Sequence, residues 1–477
     1  MNSKKNKMKK YIIAFSLATL VGFSITSCSE EFIDTDFGNS EKAEEITSVE
    51  KLQSFMNGTY GTMRSTDYYG ADFPMYAEVR SDEMFSRRSS GYFTSVANLS
   101  MTSVDAYATG PYNAIYTVVA KTNIILNSPD NLTWTQTQNA ATISDKVNKI
   151  KGEAYTIRAL AFFDLLRLYG QKYSGGTTGI VIPTKYDPKA NMARATIAET
   201  EVQIETDFAK ALSLLSGNQF NIPGNKTEIN ELSLKALMSR YYLYKGDYPK
   251  ARQYVADIVS SGTYSVIPAD SYVVSWTLNN AASNSVFELS VGTANAYGAG
   301  GINAYMNLSG AYRNVAVLNS TYSLYATNDV RRSAETFGVA SNNRFIKHKY
   351  PAISGSDNLR LVRYEEVLLN GVEAELNGGS AATALTYYNL ILTNRGLNAA
   401  TSVNLATLKT ERIKELLGEG FRMWDLLRWG MAVPIYSSTG ASPVILNIGD
   451  NRLTFPIPQS ETNVSGTLVK SNPGYDN

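Results

Sequence analysis

Residues 231–260 read ELSLKALMSRYYLYKGDYPKARQYVADIVS, and two helices run through them. Glu231 to Lys245 carries a bulky apolar stripe at helical spacing, and Gly246-Asp247-Tyr248 supplies a turn. Pro249 then opens a second helix to Ser260, at a point where a missing N–H has no helical partner to lose. Ala251 and Tyr254 pack back on the first helix.

A helix pair with glycine at the bend resembles a tetratricopeptide unit. A similar pair recurs at Tyr364 to Asn377 and Ala381 to Arg395, split by Gly378-Gly379. The distance between the pairs far exceeds one repeat, which predicts several units interrupted by a long insertion. Further helices are expected from Ser48 as N-cap with Val49, Leu52, Phe55/Met56 and Tyr60, and from Pro111 as first residue with Ile115, Val118, Thr122 and Ile125. Lys151 to Tyr169 puts Ala154, Ile157, Ala161, Leu165 and Leu168 on one face, closed by Gly170. Ile204, Phe208, Ala211 and Leu215 mark another helix, and Glu411 to Trp429 reads as the last long one. From about 262 to 359 the pattern changes to strand-like runs, Tyr272 to Trp276 and Ser285 to Val291, and a Gly/Asn/Tyr-rich loop from Gly292 to Arg313.

The front of the chain reads as an export signal. Lys4, Lys5, Lys7, Lys9 and Lys10 precede an apolar run, Tyr11 to Phe23, too short to span a bilayer comfortably. It ends in Ile25-Thr26-Ser27-Cys28, which resembles a bacterial lipobox and holds the only cysteine. A thioether lipid on Cys28 with a second acyl chain on its amino group gives stable anchoring. Met8 offers an alternative start, and an acidic linker runs on to about Thr47.

Composition excludes several classes. Removing the leader's five lysines lowers Lys+Arg from 44 to 39 against 43 Asp+Glu, so a net charge near −4 argues against a nucleic-acid binder. Without a second cysteine no internal disulfide can form. The 31 tyrosines outnumber Phe at 17 and Trp at 4, a surplus of rings suited to wet, hydrogen-bonding surfaces as well as cores.

No catalytic set emerges. Glu411, Glu415 and Glu419 lie four apart, but an ion-pair network with Arg412, Arg422 and Arg428 accounts for them better than acid/base work, and Glu153 with Arg158, Glu373 and Glu375 read the same way. His348 is the single histidine, which excludes a His cluster, and it reads as solvated. No Gly-x-Ser-x-Gly elbow or phosphate-cradling loop is present. No cofactor is expected; the one metal left open is structural calcium on loop carboxylates such as Asp72 or Asp82.

Several segments, in order, resemble the SusD/RagB family of outer-membrane nutrient-binding lipoproteins of Bacteroidetes. They are Gly152-Glu153-Ala154, Arg158-Ala159 and Phe163-Asp164-Leu165 through Leu168-Tyr169-Gly170; Arg363-Tyr364-Glu365-Glu366-Val367-Leu368-Leu369 with Glu373-Ala374-Glu375; Glu411-Arg412, Glu415-Leu416 and Glu419-Gly420-Phe421-Arg422; Asp425 to Gly430; Pro456-Ile457-Pro458; and Asn472-Pro473-Gly474-Tyr475. The family usually has Ala where Glu365 stands, and Asn370-Gly371-Val372 replaces a more apolar stretch.

The resemblance implies a mostly α fold, four tetratricopeptide-like helix pairs in a right-handed scaffold with an irregular, loop-rich ligand-binding part containing short strands. It divides the chain into a signal peptide (1–27), a lipidated cysteine and linker (28–47) and one domain (48–477), with scaffold at about 48–261 and 360–430, insertion at about 262–359 and an extended tail at 431–477. It also implies a partner, a SusC-like TonB-dependent β-barrel transporter, and a lipid-anchored, surface-exposed place on the outer membrane.

Ligand contact is expected from two aromatic stretches, because sugars and extended peptides present flat apolar faces rimmed by polar groups. Tyr68, Asp72, Tyr92 and Phe93 come from the first, and Tyr297, Asn303, Tyr305 and Tyr312 from the second. The implied function is non-catalytic capture of an oligosaccharide for the transporter, with a peptide ligand, a surface glycoside hydrolase or a purely protein-binding scaffold as alternatives.

Overall fold

Gly246 takes φ 75° and reverses the chain between helices Glu231–Lys245 and Tyr248–Ser260, a left-handed conformation that glycine adopts without a Cβ penalty. Asn230 caps the first helix through the Ser233 N–H, and Asp247 caps the second through Lys250 N–H at 3.2 Å.

The computed structural model describes residues 46–464 and 466–475; the leader, Cys28 and the linker up to Glu45 lie outside them. The main helices are α1 (Val49–Met63), α2 (Asp72–Val79), α3 (Ala106–Leu126), α4 (Ala140–Tyr169), α5 (Ile197–Leu215), α6 (Glu231–Lys245), α7 (Tyr248–Ser260), α8 (Tyr364–Leu376), α9 (Ala381–Thr393), α10 (Leu405–Leu416) and α11 (Arg422–Arg428). α1 packs on α3, α4 on α5, α6 on α7 and α8 on α9, and α8 also rests on α6 and α7, which joins the two recognised pairs.

Between these helices run short strands: β1 (Met84–Ser86), β2 (Ser285–Leu289), β3 (Val315–Val317), β4 (Phe337–Ala340), β5 (Asn343–Ile346), β6 (Leu359–Arg363), β7 (Val433–Ile435) and β8 (Val444–Leu446). An antiparallel sheet ordered β1-β3-β5-β4 pairs Met84 with Val317 and buries Phe85, Ala316, Leu318 and Phe345 together. It joins the segment after α2 to the insertion.

Several expected boundaries move. α4 begins at Ala140, because Asn139 accepts from Ala141 and Thr142 N–H. Gly170 closes it for reasons of space at φ −77°, since a Cβ would sit 2.6 Å from the Leu166 carbonyl oxygen. Pro111 lies inside α3, not at its start. Tyr272 to Trp276 forms 3-10 turns instead of a strand.

The run Glu411 to Trp429 is two helices. Gly418 and Gly420, at φ 78° and 81°, turn between them, and Glu78 of α2 accepts both N–H groups at 3.3 and 2.6 Å.

The carboxylates of this region are structural, with partners largely other than those expected. Arg331, Arg363 and Arg395 all reach Glu415, at 2.9, 3.0 and 2.9 Å. Burial opposes ionisation there, but Arg395 and Arg363 hold the Glu415 carboxyl well below its usual range. Glu419 meets Arg363 at 2.7 Å and Lys349 at 2.5 Å, Arg412 meets Asp425 at 2.7 Å, and Arg428 meets Glu373. Glu365, the departure from the family pattern, belongs to the same network through Arg395 at 2.8 Å and two hydrogen bonds from Asn284 Nδ2. Arg158 binds Asp207 rather than Glu153, which pairs with Lys149 at 2.6 Å. His348 is buried, not solvated. Its ring nitrogens lie 3.2 Å from Thr336 O and Tyr272 Oη, and burial together with Lys349 pushes its pKa far down.

Candidate functional site

Asn314 is fully buried where β3 begins, and it locks two loops together. Arg87 N–H donates to its carbonyl at 2.7 Å, Ser89 N–H to its Oδ1 at 3.1 Å, and its Nδ2 donates to Tyr92 O at 2.6 Å. Tyr312 and Arg313 N–H both donate to Ala304 O, at 2.9 and 3.0 Å, which folds the second loop onto the helical turn Ile302–Met306. These bonds bring Tyr92, Tyr305 and Tyr312 into one cluster.

The ring centroids of Tyr92 and Tyr312 are 4.5 Å apart, and Tyr305 lies 5.0 Å from Tyr92 and 5.6 Å from Tyr312, stacked on the latter at 20°. Tyr92 Oη and Tyr312 Oη are 3.3 Å apart, and this hydrogen bond with partial burial raises the Tyr92 pKa. Tyr92 and Tyr312 are half-buried, whereas Tyr305 is the nearly covered floor. Below it Phe93 packs edge-on at 5.0 Å and stacks on Tyr107 at 5.2 Å. The site carries backbone strain: Arg88, Phe93 and Arg313 hold φ of 55°, 56° and 46°. Left-handed non-glycine residues cost on the order of 1–3 kcal/mol each and gather where geometry matters more than stability.

Asp72, at the start of α2, is the carboxyl beside these rings. Tyr76 Oη lies 3.3 Å from its Oδ2, and its electrostatic influence reaches Tyr107 and Tyr305. Burial first, and then the charge of Asp67, push its pKa up to about 8. At neutral pH it is a neutral acid able to donate a hydrogen bond.

Of the expected ligand residues, Asp72, Tyr92, Tyr305 and Tyr312 come together. Tyr68 does not: it is fully buried and donates to Asp164 Oδ2 at 2.5 Å, alongside Tyr69 and Arg167 on the same carboxylate. Phe93 is likewise fully buried, a support for the rings above it. Asn303 is buried with its Nδ2 donating to Tyr350 O at 2.7 Å, so it braces the loop. Tyr297 stands apart, tying its loop to Arg64 O at 2.7 Å.

Tyr107 and Asn314 were missed. The signal for Tyr107 was Asp105, whose side chain accepts from Tyr107 N–H and starts α3 there. Of the two acids named for calcium, Asp82 pairs with Arg422 at 2.5 Å and Asp72 lies beside Tyr76. No group of three or more metal-ligating side chains occurs among the described residues.

A mostly helical scaffold with short strands is the fold of one class of outer-membrane-associated proteins. Residues 31–243 match a family model described as starch-binding associating with outer membrane, and residues 290–475 match the SusD family model. The chain belongs to the SusD/RagB family.

SusD-like protein P2 of Formosa agariphila is 22% identical over 540 residues, covering 98% of this chain and 100% of that protein. A SusD superfamily crystal structure from Bacteroides thetaiotaomicron is 26% identical with TM-score 0.78, covering 90% of this chain and 100% of that one. Surface glycan-binding protein A from Bacteroides fluxus shares the fold at TM-score 0.72 and 20% identity, with 90% and 100% covered. No helix among the described residues is long and apolar enough to cross a membrane.

Proposed function

We propose that this chain binds an oligosaccharide at the outer-membrane surface without chemical turnover and delivers it to a SusC-like TonB-dependent β-barrel partner, held to the membrane by lipid on Cys28. The observation that carries the reading is the Tyr92, Tyr305 and Tyr312 cluster, two half-exposed rings over a covered third with Asp72 beside them. A sugar ring lays its C–H face on such a surface while hydroxyls and the neutral carboxyl exchange hydrogen bonds at the edge. The family match and a solved relative that is itself a surface glycan-binding protein support a glycan over a peptide.

The acidic groups described lie mostly inside ion-pair networks, which is why binding without hydrolysis is favoured. The test is to screen purified protein against a polysaccharide panel by affinity electrophoresis and assay the hits for new reducing ends. The reading expects retardation by at least one polymer and no reducing ends over hours; released sugar would favour the hydrolase alternative.

A further inference from the structure

The arginines near the ring cluster differ from those of the scaffold. Arg331, Arg363 and Arg395 each meet two or three carboxylates. Arg87, Arg88 and Arg313, on the loops that carry Tyr92 and Tyr312, have no carboxylate within 4.0 Å among the described residues.

Two of the three have internal work. Arg88 Nη2 donates to the carbonyls of Ala97 and Tyr436 at 2.9 and 3.1 Å, and Arg87 Nη1 donates to Arg313 O at 3.0 Å. The Arg313 guanidinium has no hydrogen-bond partner among the described residues, and the residue is half-exposed. Yet Arg313 sits at φ 46°, where glycine or asparagine would be the choice if only the turn mattered. A strained backbone under a long cationic side chain with no internal partner points outward, to something the loop must meet.

Carboxyl groups lie near Asp72 and Tyr107. Asp67 lies near Asp72, and Asp105 Oδ1 accepts from Tyr107 N–H at 2.9 Å. Asp72 itself is uncharged at neutral pH for the reasons given above.

We propose that Arg313, backed by Arg87, receives an acidic group of the ligand, so that the oligosaccharide is an anionic one bearing uronate carboxylates or sulfate esters. A guanidinium fork meets either group through paired N–H bonds. This inference rests on the glycan reading above.

The experiment titrates wild type, Arg313→Gln and Tyr92→Ala with polygalacturonate and alginate as uronate probes, sulfated galactan as the sulfate probe, and carboxyl-reduced and desulfated versions as neutral partners. Circular dichroism and thermal melting check the fold of each variant.

The expected result is binding of one acidic polymer about tenfold or more tighter than its neutral partner, weakened about fivefold or more by Arg313→Gln and by raising the salt from 50 to 500 mM. The probe that binds separates carboxylate from sulfate. Preference for a neutral partner, with loss in Tyr92→Ala and none in Arg313→Gln, would overturn this inference and leave the glycan reading standing. Silence from every polymer, acidic and neutral, would overturn both.

Discussion

Tyr76 Oη lies 3.0 Å from the carbonyl oxygen of Tyr107 and donates to it. That carbonyl is the one Pro111 leaves without a helical donor, since a residue four positions on in α3 would ordinarily supply the N–H. A buried side chain from α2 thus repairs the helix that carries Tyr107, and it reaches toward Asp72 with the same hydroxyl.

Tyr76→Phe should leave the Tyr107 carbonyl unpaired and destabilise the protein by about 1–3 kcal/mol. Urea denaturation read by tryptophan fluorescence checks this, with the midpoint shifted and the slope unchanged.

Glu78 and Glu83 are both buried, and Glu78 accepts from the Gly418 and Gly420 N–H groups. Burial, and then the neighbouring Glu78, raise the Glu83 pKa well above its ordinary value. A raised folded-state pKa means that its contribution to stability is full below about pH 4.3, the unfolded value, and is lost progressively as pH rises toward the folded one. Glu83→Gln removes that titration. Urea midpoints across pH 5 to 9 should show the variant gaining on wild type as pH rises.

Cys28→Ala should move the protein from the membrane to the soluble fraction in cells lacking a partner transporter, with ligand affinity unchanged. Ultracentrifugation and immunoblotting read the outcome, and a mutant that still sediments with membranes would remove the lipid assignment.

The scaffold was legible because helix pairs are written in local code. Gly246 and Pro249 mark a bend and a start whose physics depends on neighbours only. The charged residues were legible in kind and less so in pairing. Glu415 reads as an ion-pair member from its sequence, but Arg331 and Arg395 reach it from other parts of the chain, which no i,i+4 rule finds. The split of the last helix is of the same sort, because Glu78 sets it from α2.

Within the site, the tyrosines on exposed loops and those in the core are the same residue type, and sequence cannot sort them. Tyr68 lies inward because Asp164 on α4 accepts its hydroxyl, while Tyr92, its carbonyl held by Asn314, packs against Tyr305 and Tyr312 and stays half-exposed. Asn303 looked like a ligand group for the same reason that it serves as a brace, a short amide beside aromatic rings.

The central claim is that the tyrosine cluster is the binding surface. Isothermal titration of wild type, Tyr92→Ala and Tyr312→Ala with the best polysaccharide fragment from the screen tests it most directly. Each ring lost should weaken binding by about 1–2 kcal/mol, roughly five- to thirtyfold, with thermal stability little changed because both side chains are half-exposed. Affinity equal to wild type in both well-folded variants would contradict the account.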